Sequence, residues 1–96
     1  MINGNATDFI DKLSYEDHYV LFNNVKYFLN GCQVSKNIDG EITSVRVEVY
    51  DLTKGLTVFS VTKSSVSECL AAFQEAKIWS GKAFWEIEQE IEWVDD

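Results

Sequence analysis

The sequence predicts an α+β fold: an N-terminal helix, a four-stranded antiparallel meander, and one or two C-terminal helices packed on one face of the sheet. In the middle of the chain, short runs that alternate apolar and polar residues are separated by turn residues. From residue 65 onward, the apolar residues take helical spacing instead. The length of 96 residues and the 46% hydrophobic composition suit a single packed domain over residues 1–96.

The opening segment predicts a short helix over residues 7–15. Its apolar side chains share one helical face, which we expect to join the core. Asn5 or Thr7 can cap its N-terminus, because a side-chain oxygen there accepts a hydrogen bond from a free backbone N–H. The apolar side chains are Phe9, Ile10 and Leu13.

Four strands are predicted between residues 19 and 62. Two asparagines at 23–24 separate the first pair, and asparagine tolerates the positive φ that tight hairpins require. Gly31 can mark a bulge in the second strand, and the glycine-containing pairs at 39–40 and 54–55 predict the later turns. The predicted strands cover residues 19–22, 25–29 with an extension to 34, 42–50 and 56–62.

The third predicted strand shows which side chains enter the core. Val45, Val47 and Val49 alternate with Arg46 and Glu48, so we expect the valines to face the core and the charged residues to face solvent. In the other elements, the apolar residues whose spacing places them on the core-facing side complete the predicted core. The predicted core contains Phe9, Leu13, Val45, Val47, Val49, Leu70, Phe73, Ile87 and Ile91.

A second helix is predicted over residues 65–76. Ser65 and Glu68 have the spacing of a capping box, in which two side chains satisfy the free N–H groups of the first helical turn. A glycine-containing pair at 80–81 separates this helix from the last segment. Its apolar stripe consists of Val66, Cys69, Leu70, Phe73 and Ala76.

The last segment, residues 84–94, fits two patterns. Apolar residues at 84, 87, 91 and 94 have helical spacing, whereas those at 85, 87, 91 and 93 alternate with glutamates as in a strand. Glutamate favours helices and is depleted in strands, so a helix is the preferred prediction and a strand the alternative.

The same ending resembles that of an uncharacterised family of small bacterial, phage or mobile-element proteins. The shared feature is the run GKAFWEIEQEIEWVD at residues 81–95 together with the segment from Glu68 to Phe73, so the resemblance covers about the last third of the chain. It implies a cytoplasmic location and a mobile-element setting. No activity is assigned to that family, so the resemblance transfers no functional residue.

The charge of the chain limits its partners. The formal net charge is −8, and residues 65–96 alone carry two lysines against eight acidic residues, a net of −6. Such a surface repels a phosphate backbone and attracts a basic protein, so we expect no direct nucleic-acid binding and a basic protein partner. The alternative is that the acid excess only keeps the protein soluble. No signal peptide or membrane span is visible, which predicts a cytoplasmic protein that does not bind membranes.

No catalytic or metal-binding motif is recognisable, and we predict a protein that is not an enzyme and needs no cofactor. His18 is the only histidine and is expected to be an ordinary surface residue. Cys32 and Cys69 show no CxxC spacing, so we expect two small buried hydrophobic side chains rather than metal ligands.

The acidic, aromatic tail is the candidate binding site. In a helix, Trp85 and Trp93 project away from the apolar stripe, so at least one of them is expected to stay exposed among carboxylates. The alternative is that both rings pack on the core or on a second copy of the chain. The candidate partner-binding residues are Trp85, Glu86, Glu88, Gln89, Glu92 and Trp93.

The leading functional hypothesis is a non-enzymatic acidic interaction module that binds a basic protein. In a mobile-element setting, such a module can inhibit a host nucleic-acid-binding protein by placing carboxylates where phosphates would bind. Two alternatives remain: a structural subunit of a homo-oligomer, and a small-molecule-binding domain with a pocket that the sequence does not reveal.

Overall fold

The computed structural model describes residues 6–94 and has an α+β fold around one five-stranded antiparallel sheet. The strand order is β4-β3-β2-β1-β5, so the last strand pairs with the first. The predicted fold class is confirmed, with one strand more than expected. The elements are α1 (Ala6–Leu13), β1 (His18–Phe22), β2 (Val25–Lys36), β3 (Ile42–Asp51), β4 (Leu56–Lys63), α2 (Val66–Glu75), α3 (Phe84–Ile87) and β5 (Glu92–Val94).

The turns of the meander have the chemistry that the sequence indicates. Asn23 and Asn24 adopt φ values of 51° and 62°, the positive angles of a two-residue hairpin turn between β1 and β2. Helix α1 begins at Ala6, so Thr7 lies within it, and the other candidate cap, Asn5, lies outside the described residues.

The predicted bulge in β2 is confirmed at Gly31. The pairing of β2 with β3 shifts register between Asn30 and Gln33, and the Gly31 N–H turns out of the ladder to donate a 2.7 Å hydrogen bond to Asp17 Oδ1. A Cβ atom at Gly31 would overlap the backbone carbonyl of Glu16. Glycine is therefore required here by the close approach of two backbone segments.

Helix α2 begins with the predicted cap. Ser65 Oγ accepts a 3.3 Å hydrogen bond from the Glu68 N–H, and the Glu68 carboxylate accepts from the hydroxyls of Ser64 and Ser65. These two side-chain hydrogen bonds lower the pKa of Glu68, because they stabilise its ionised form. The Ser65 half of the predicted capping box is thus present, whereas the Glu68 carboxylate bonds hydroxyl groups instead of a backbone N–H.

The core lies between the helices and the inner face of the sheet. All predicted core residues are buried except Leu70, which is half-buried because it lies on the side of α2 that turns away from the sheet. The core also contains Trp79, whose ring meets Phe22, Tyr27 and Phe73 at centroid distances of 5.7, 5.2 and 6.4 Å.

The predicted helix over residues 84–94 is wrong beyond its first turn. Helix α3 ends at Ile87, a turn continues to Ile91, and the chain then becomes strand β5. Helical spacing holds from Phe84 to Ile91, where the apolar residues are buried. Beyond Ile91, pairing with the open edge of β1 outweighs the helix propensity of the glutamates.

Trp93 fixes β5 against β1 and α1. Its ring packs edge-on against Phe9 and His18 at 5.3 and 5.1 Å, and the Lys12 ammonium lies 5.3 Å from the ring centroid. The indole N–H donates a 3.2 Å hydrogen bond to His18 Nδ1. The expectation of a surface histidine is therefore wrong: His18 is only 5% exposed, because α1 and β5 cover it.

Candidate protein-binding site

Trp85 is the most exposed of the three tryptophans. In α3, Phe84 and Ile87 face the core, and Trp85 follows Phe84 by about 100° of helical rotation, so its side chain turns outward. The ring is 64% exposed. The prediction that at least one of the two tail tryptophans stays exposed is confirmed for Trp85.

Beside Trp85 lies a groove between the three helices. A hollow of about 430 Å³ lies among α1, α2 and α3, and a second hollow of about 290 Å³ lies beside it. Ile10 and Gln74 line both hollows. The apolar part of the groove comes from Ile10, Leu70, Ala71 and the Trp85 ring. We call this surface the helical groove; its lining residues are Thr7, Ile10, Ser67, Leu70, Ala71, Gln74, Glu75, Trp85 and Glu88.

The charge of the helical groove is negative. Glu75 lines the hollow beside Trp85, and Glu88, which caps α3 at its C-terminal end, lines the adjoining hollow. Within residues 6–94, no lysine or arginine lines either hollow. An apolar floor with carboxylates at its margin favours a segment that carries both apolar and cationic side chains.

Glu86 is exposed, and its carboxylate also stabilises the start of α3. Its carboxylate Oε2 accepts a 2.8 Å hydrogen bond from the Ala83 N–H, which satisfies one of the free donors at the start of α3. This bond orients the first turn of α3, the turn that carries Trp85. Glu86 therefore supports the exposed ring from the adjacent position.

The other predicted site residues do not join this groove. Gln89 is exposed in the turn after α3, and Glu92 lies on β5 opposite Leu21, on the sheet face that turns away from the helices. Trp93 is half-buried and packs inward. The predicted single surface with both tryptophans does not form, because the chain reverses between Ile87 and Glu92 and turns the rings to different sides.

Several groove residues were missing from the sequence prediction because they belong to other elements. Ile10 and Leu70 were assigned to apolar stripes, and both lie at the edges of those stripes, next to the buried Phe9 and Cys69. The sequence signal for such a groove residue is an apolar residue that directly follows a core residue on a short helix. The sequence does not indicate which of these residues come into contact, because that depends on how α1, α2 and α3 pack together.

Neither thiol lies in surroundings that favour its ionised form. Cys69 is buried and its Sγ donates a 2.9 Å hydrogen bond to the Val45 carbonyl, whereas Cys32 is half-buried rather than buried as expected. Burial raises the pKa of both thiols, which disfavours the nucleophilic thiolate. Among residues 6–94, no three His, Cys, Asp or Glu side chains cluster as metal ligands would.

No helix in the described part of the chain has the length and apolar character needed to cross a membrane. A comparison of the chain with protein-family models, curated proteins and solved structures gives no match in any of the three. The argument for a function therefore depends on the surface itself. Its distinguishing feature is a 64% exposed tryptophan beside an apolar groove with acidic margins.

Proposed function

We propose that this protein is a non-enzymatic, acidic interaction module that binds a basic, amphipathic segment of a partner protein in the helical groove. The exposed Trp85 beside an apolar floor is the observation that supports this proposal most directly. In the isolated chain, a large aromatic ring and the apolar surface beside it are exposed to water, which is unfavourable. A partner that covers this surface removes it from water and gains the hydrophobic free energy of burial.

The chemistry of the groove defines the partner. Leucine-like side chains fit the floor formed by Ile10, Leu70 and Ala71, and an arginine can stack on the Trp85 indole while it pairs with a carboxylate. Glu75 and Glu88 lie on two sides of this floor. An amphipathic helix with arginines beside its apolar stripe meets these requirements.

The resemblance of residues 81–95 to a phage and mobile-element family adds a biological setting to this proposal. In that setting the protein acts in the cytoplasm, and the basic segment belongs to a host nucleic-acid-binding protein. Occupation of that segment by carboxylates would compete with the phosphate groups that it normally binds. The −8 net charge supports this competition, since it attracts basic surfaces over a long range.

The test is a titration with a designed peptide. We expect an amphipathic helical peptide with leucines on one face and flanking arginines to bind the wild-type protein in isothermal titration calorimetry. Trp85→Ala should reduce the binding free energy by about 2 kcal/mol or more, as truncations of interface tryptophans do. The same variant should keep its stability within about 0.5 kcal/mol, because the ring is exposed.

Matched controls separate the groove from general charge attraction. A peptide of the same composition in scrambled order has the same charge without the apolar stripe, and it should bind much more weakly. Tyr50→Ala removes an aromatic ring from the sheet face that turns away from the helices, and it should leave peptide affinity unchanged. Equal binding of ordered and scrambled peptides, or full affinity in Trp85→Ala, would contradict the proposal.

A further inference from the structure

The two hollows of the helical groove differ in their chemistry. The larger hollow has an apolar floor beside Trp85, whereas the smaller one, of about 290 Å³, is lined by Thr7, Ile10, Gln74 and Glu88. A hydroxyl, a carboxamide and a carboxylate therefore bring three kinds of hydrogen-bond acceptor to one small space. They come from α1, from α2 and from the C-terminal end of α3, and Ile10 adds an apolar wall.

The acceptors of the smaller hollow are unused within the described part of the chain. Gln74 and Glu88 are both half-buried, and among residues 6–94 neither side chain makes a hydrogen bond or an ion pair. A half-buried carboxylate has lost part of its hydration, and this loss is compensated only when a donor or a cation comes close. A cationic side chain that enters the hollow supplies that compensation.

The backbone of α2 adds to the negative potential of the smaller hollow. The last turn of α2 contains no basic residue, and Gln74 lies in that turn, one residue before the helix ends at Glu75. The last carbonyl groups of a helix have no intrahelical partner and form the negative end of its dipole. The helix end therefore favours the same kind of occupant as the Glu88 carboxylate, a cation.

Arginine fits this set of acceptors better than lysine. Its guanidinium presents five N–H donors in one plane, so it can pair with Glu88 through two of them and still donate to Gln74 and Thr7. An ammonium has three donors and is more strongly hydrated, so it loses more when it enters a half-buried site. Ile10 offers an apolar wall on which the methylene groups of an arginine can pack.

The two hollows are separated by about one helical turn. On each of the three elements, a residue of the smaller hollow lies three or four positions from a residue of the larger one. Three or four residues of an α-helix span about 5 to 6 Å, so one turn of a bound helix reaches from one hollow to the other. The pairs are Ile10 and Thr7 on α1, Leu70 and Gln74 on α2, and Trp85 and Glu88 on α3.

We infer that the smaller hollow is a subsite for one arginine of the partner segment, three or four residues from the apolar side chain that occupies the larger hollow. This subsite rests on the proposed function, because it assigns one position of the segment that the helical groove binds. The arginine is distinct from the one that can stack on the Trp85 indole, since Trp85 lines only the larger hollow.

Isothermal titration calorimetry with variants of the amphipathic peptide tests the subsite. Citrulline at the assigned position keeps the shape of arginine without its charge, and it should reduce the affinity about tenfold or more. Lysine keeps the charge without the planar donors, and it should reduce the affinity about threefold or more. Moving the arginine by two positions turns it to the other side of the peptide helix at equal composition, and the loss should match that of citrulline.

A matched pair of protein variants locates the effect. Glu88→Gln should weaken binding of the arginine peptide about tenfold and leave binding of the citrulline peptide nearly unchanged, because the two changes remove the same interaction. Glu90→Gln is the control: it makes the same change of charge at an exposed residue outside both hollows, and it should have little effect on either peptide. Thermal melts of both variants confirm that they fold.

The outcomes separate the subsite from the groove as a whole. A peptide that requires Trp85 but binds equally well with arginine or citrulline would overturn the subsite and leave the proposed function intact. So would a Glu88→Gln protein that weakens both peptides to the same extent. An ordered peptide that does not bind, or that binds without regard to Trp85, would overturn both.

Discussion

At the residue scale, the pairing of Trp93 with His18 shows how one contact decides the local structure. His18 Nδ1 accepts a 3.2 Å hydrogen bond from the Trp93 indole N–H. Within the described residues, the His18 Nε2 atom is buried without a hydrogen-bond partner. Among residues 6–94, the hydrogen bond from Trp93 is therefore the only one that His18 makes through its ring, and loss of Trp93 leaves a buried polar ring without it.

Trp93→Ala should therefore destabilise the monomer by about 3 kcal/mol, since it removes a packed indole and the hydrogen bond to His18 together. Trp93→Phe keeps most of the packing and should cost about 1 kcal/mol from the lost hydrogen bond. Chemical denaturation of both variants measures the difference. A Trp93→Ala protein as stable as the wild type would show that the Trp93 side chain contributes nothing to the stability of the fold.

At the scale of the element, local signals predict β1 to β4 and α2 well. The asparagine turn, the valine alternation of β3 and the Ser65–Glu68 cap each depend on residues close in sequence, and the structure contains all of them. Strand β5 does not depend on such signals. Its sequence suits two structures, and the choice is made by the free edge of β1, which lies 75 residues away at the Trp93–His18 contact.

The candidate site divides in the same way. The exposure of Trp85 follows from helical spacing within α3, and the sequence predicts it. The position of Trp93 depends on Phe9 and His18, which lie on distant elements, and the prediction of a shared surface failed there. The sheet face that turns away from the helices left one visible signal in the sequence: Tyr19 to Phe22 are all apolar, which is typical of a strand with apolar residues on both faces.

The bulge in β2 yields a prediction at this scale. Gly31→Ala should cost at least about 2 kcal/mol of stability, because the added Cβ overlaps the Glu16 carbonyl and neither backbone can move freely. Gly55→Ala is the matched control: its φ is +69° but nothing lies near the added Cβ, so it should cost only about 1 kcal/mol of backbone strain. Equal melting temperatures for the two variants would show that a Cβ atom at Gly31 does not clash with the Glu16 backbone.

At the scale of the whole molecule, charge is distributed unevenly between the strands and the segments that follow them. The helical groove is acidic, whereas residues 18–63, which form β1 to β4, carry five Lys/Arg and four Asp/Glu and are nearly neutral. A basic ligand is therefore attracted to the segments that follow the strands.

Added salt should weaken binding of the basic peptide. Screening reduces the attraction between the peptide and the carboxylates of the groove in a chain of net charge −8. Calorimetry of the peptide at low and high sodium chloride measures this effect. An affinity that does not change with salt would contradict a role for the acidic margin in binding.

The three tryptophans lie in three different environments, and this gives the protein its own set of optical probes. Trp79 is fully buried among aromatic rings, Trp93 is half-buried with its N–H bonded to imidazole, and Trp85 is exposed. A small neutral quencher such as acrylamide reaches the Trp85 ring far more readily than the Trp79 ring. Fluorescence of variants that keep one indole each therefore reports separately on the interior, on the docking of β5 and on the occupancy of the groove.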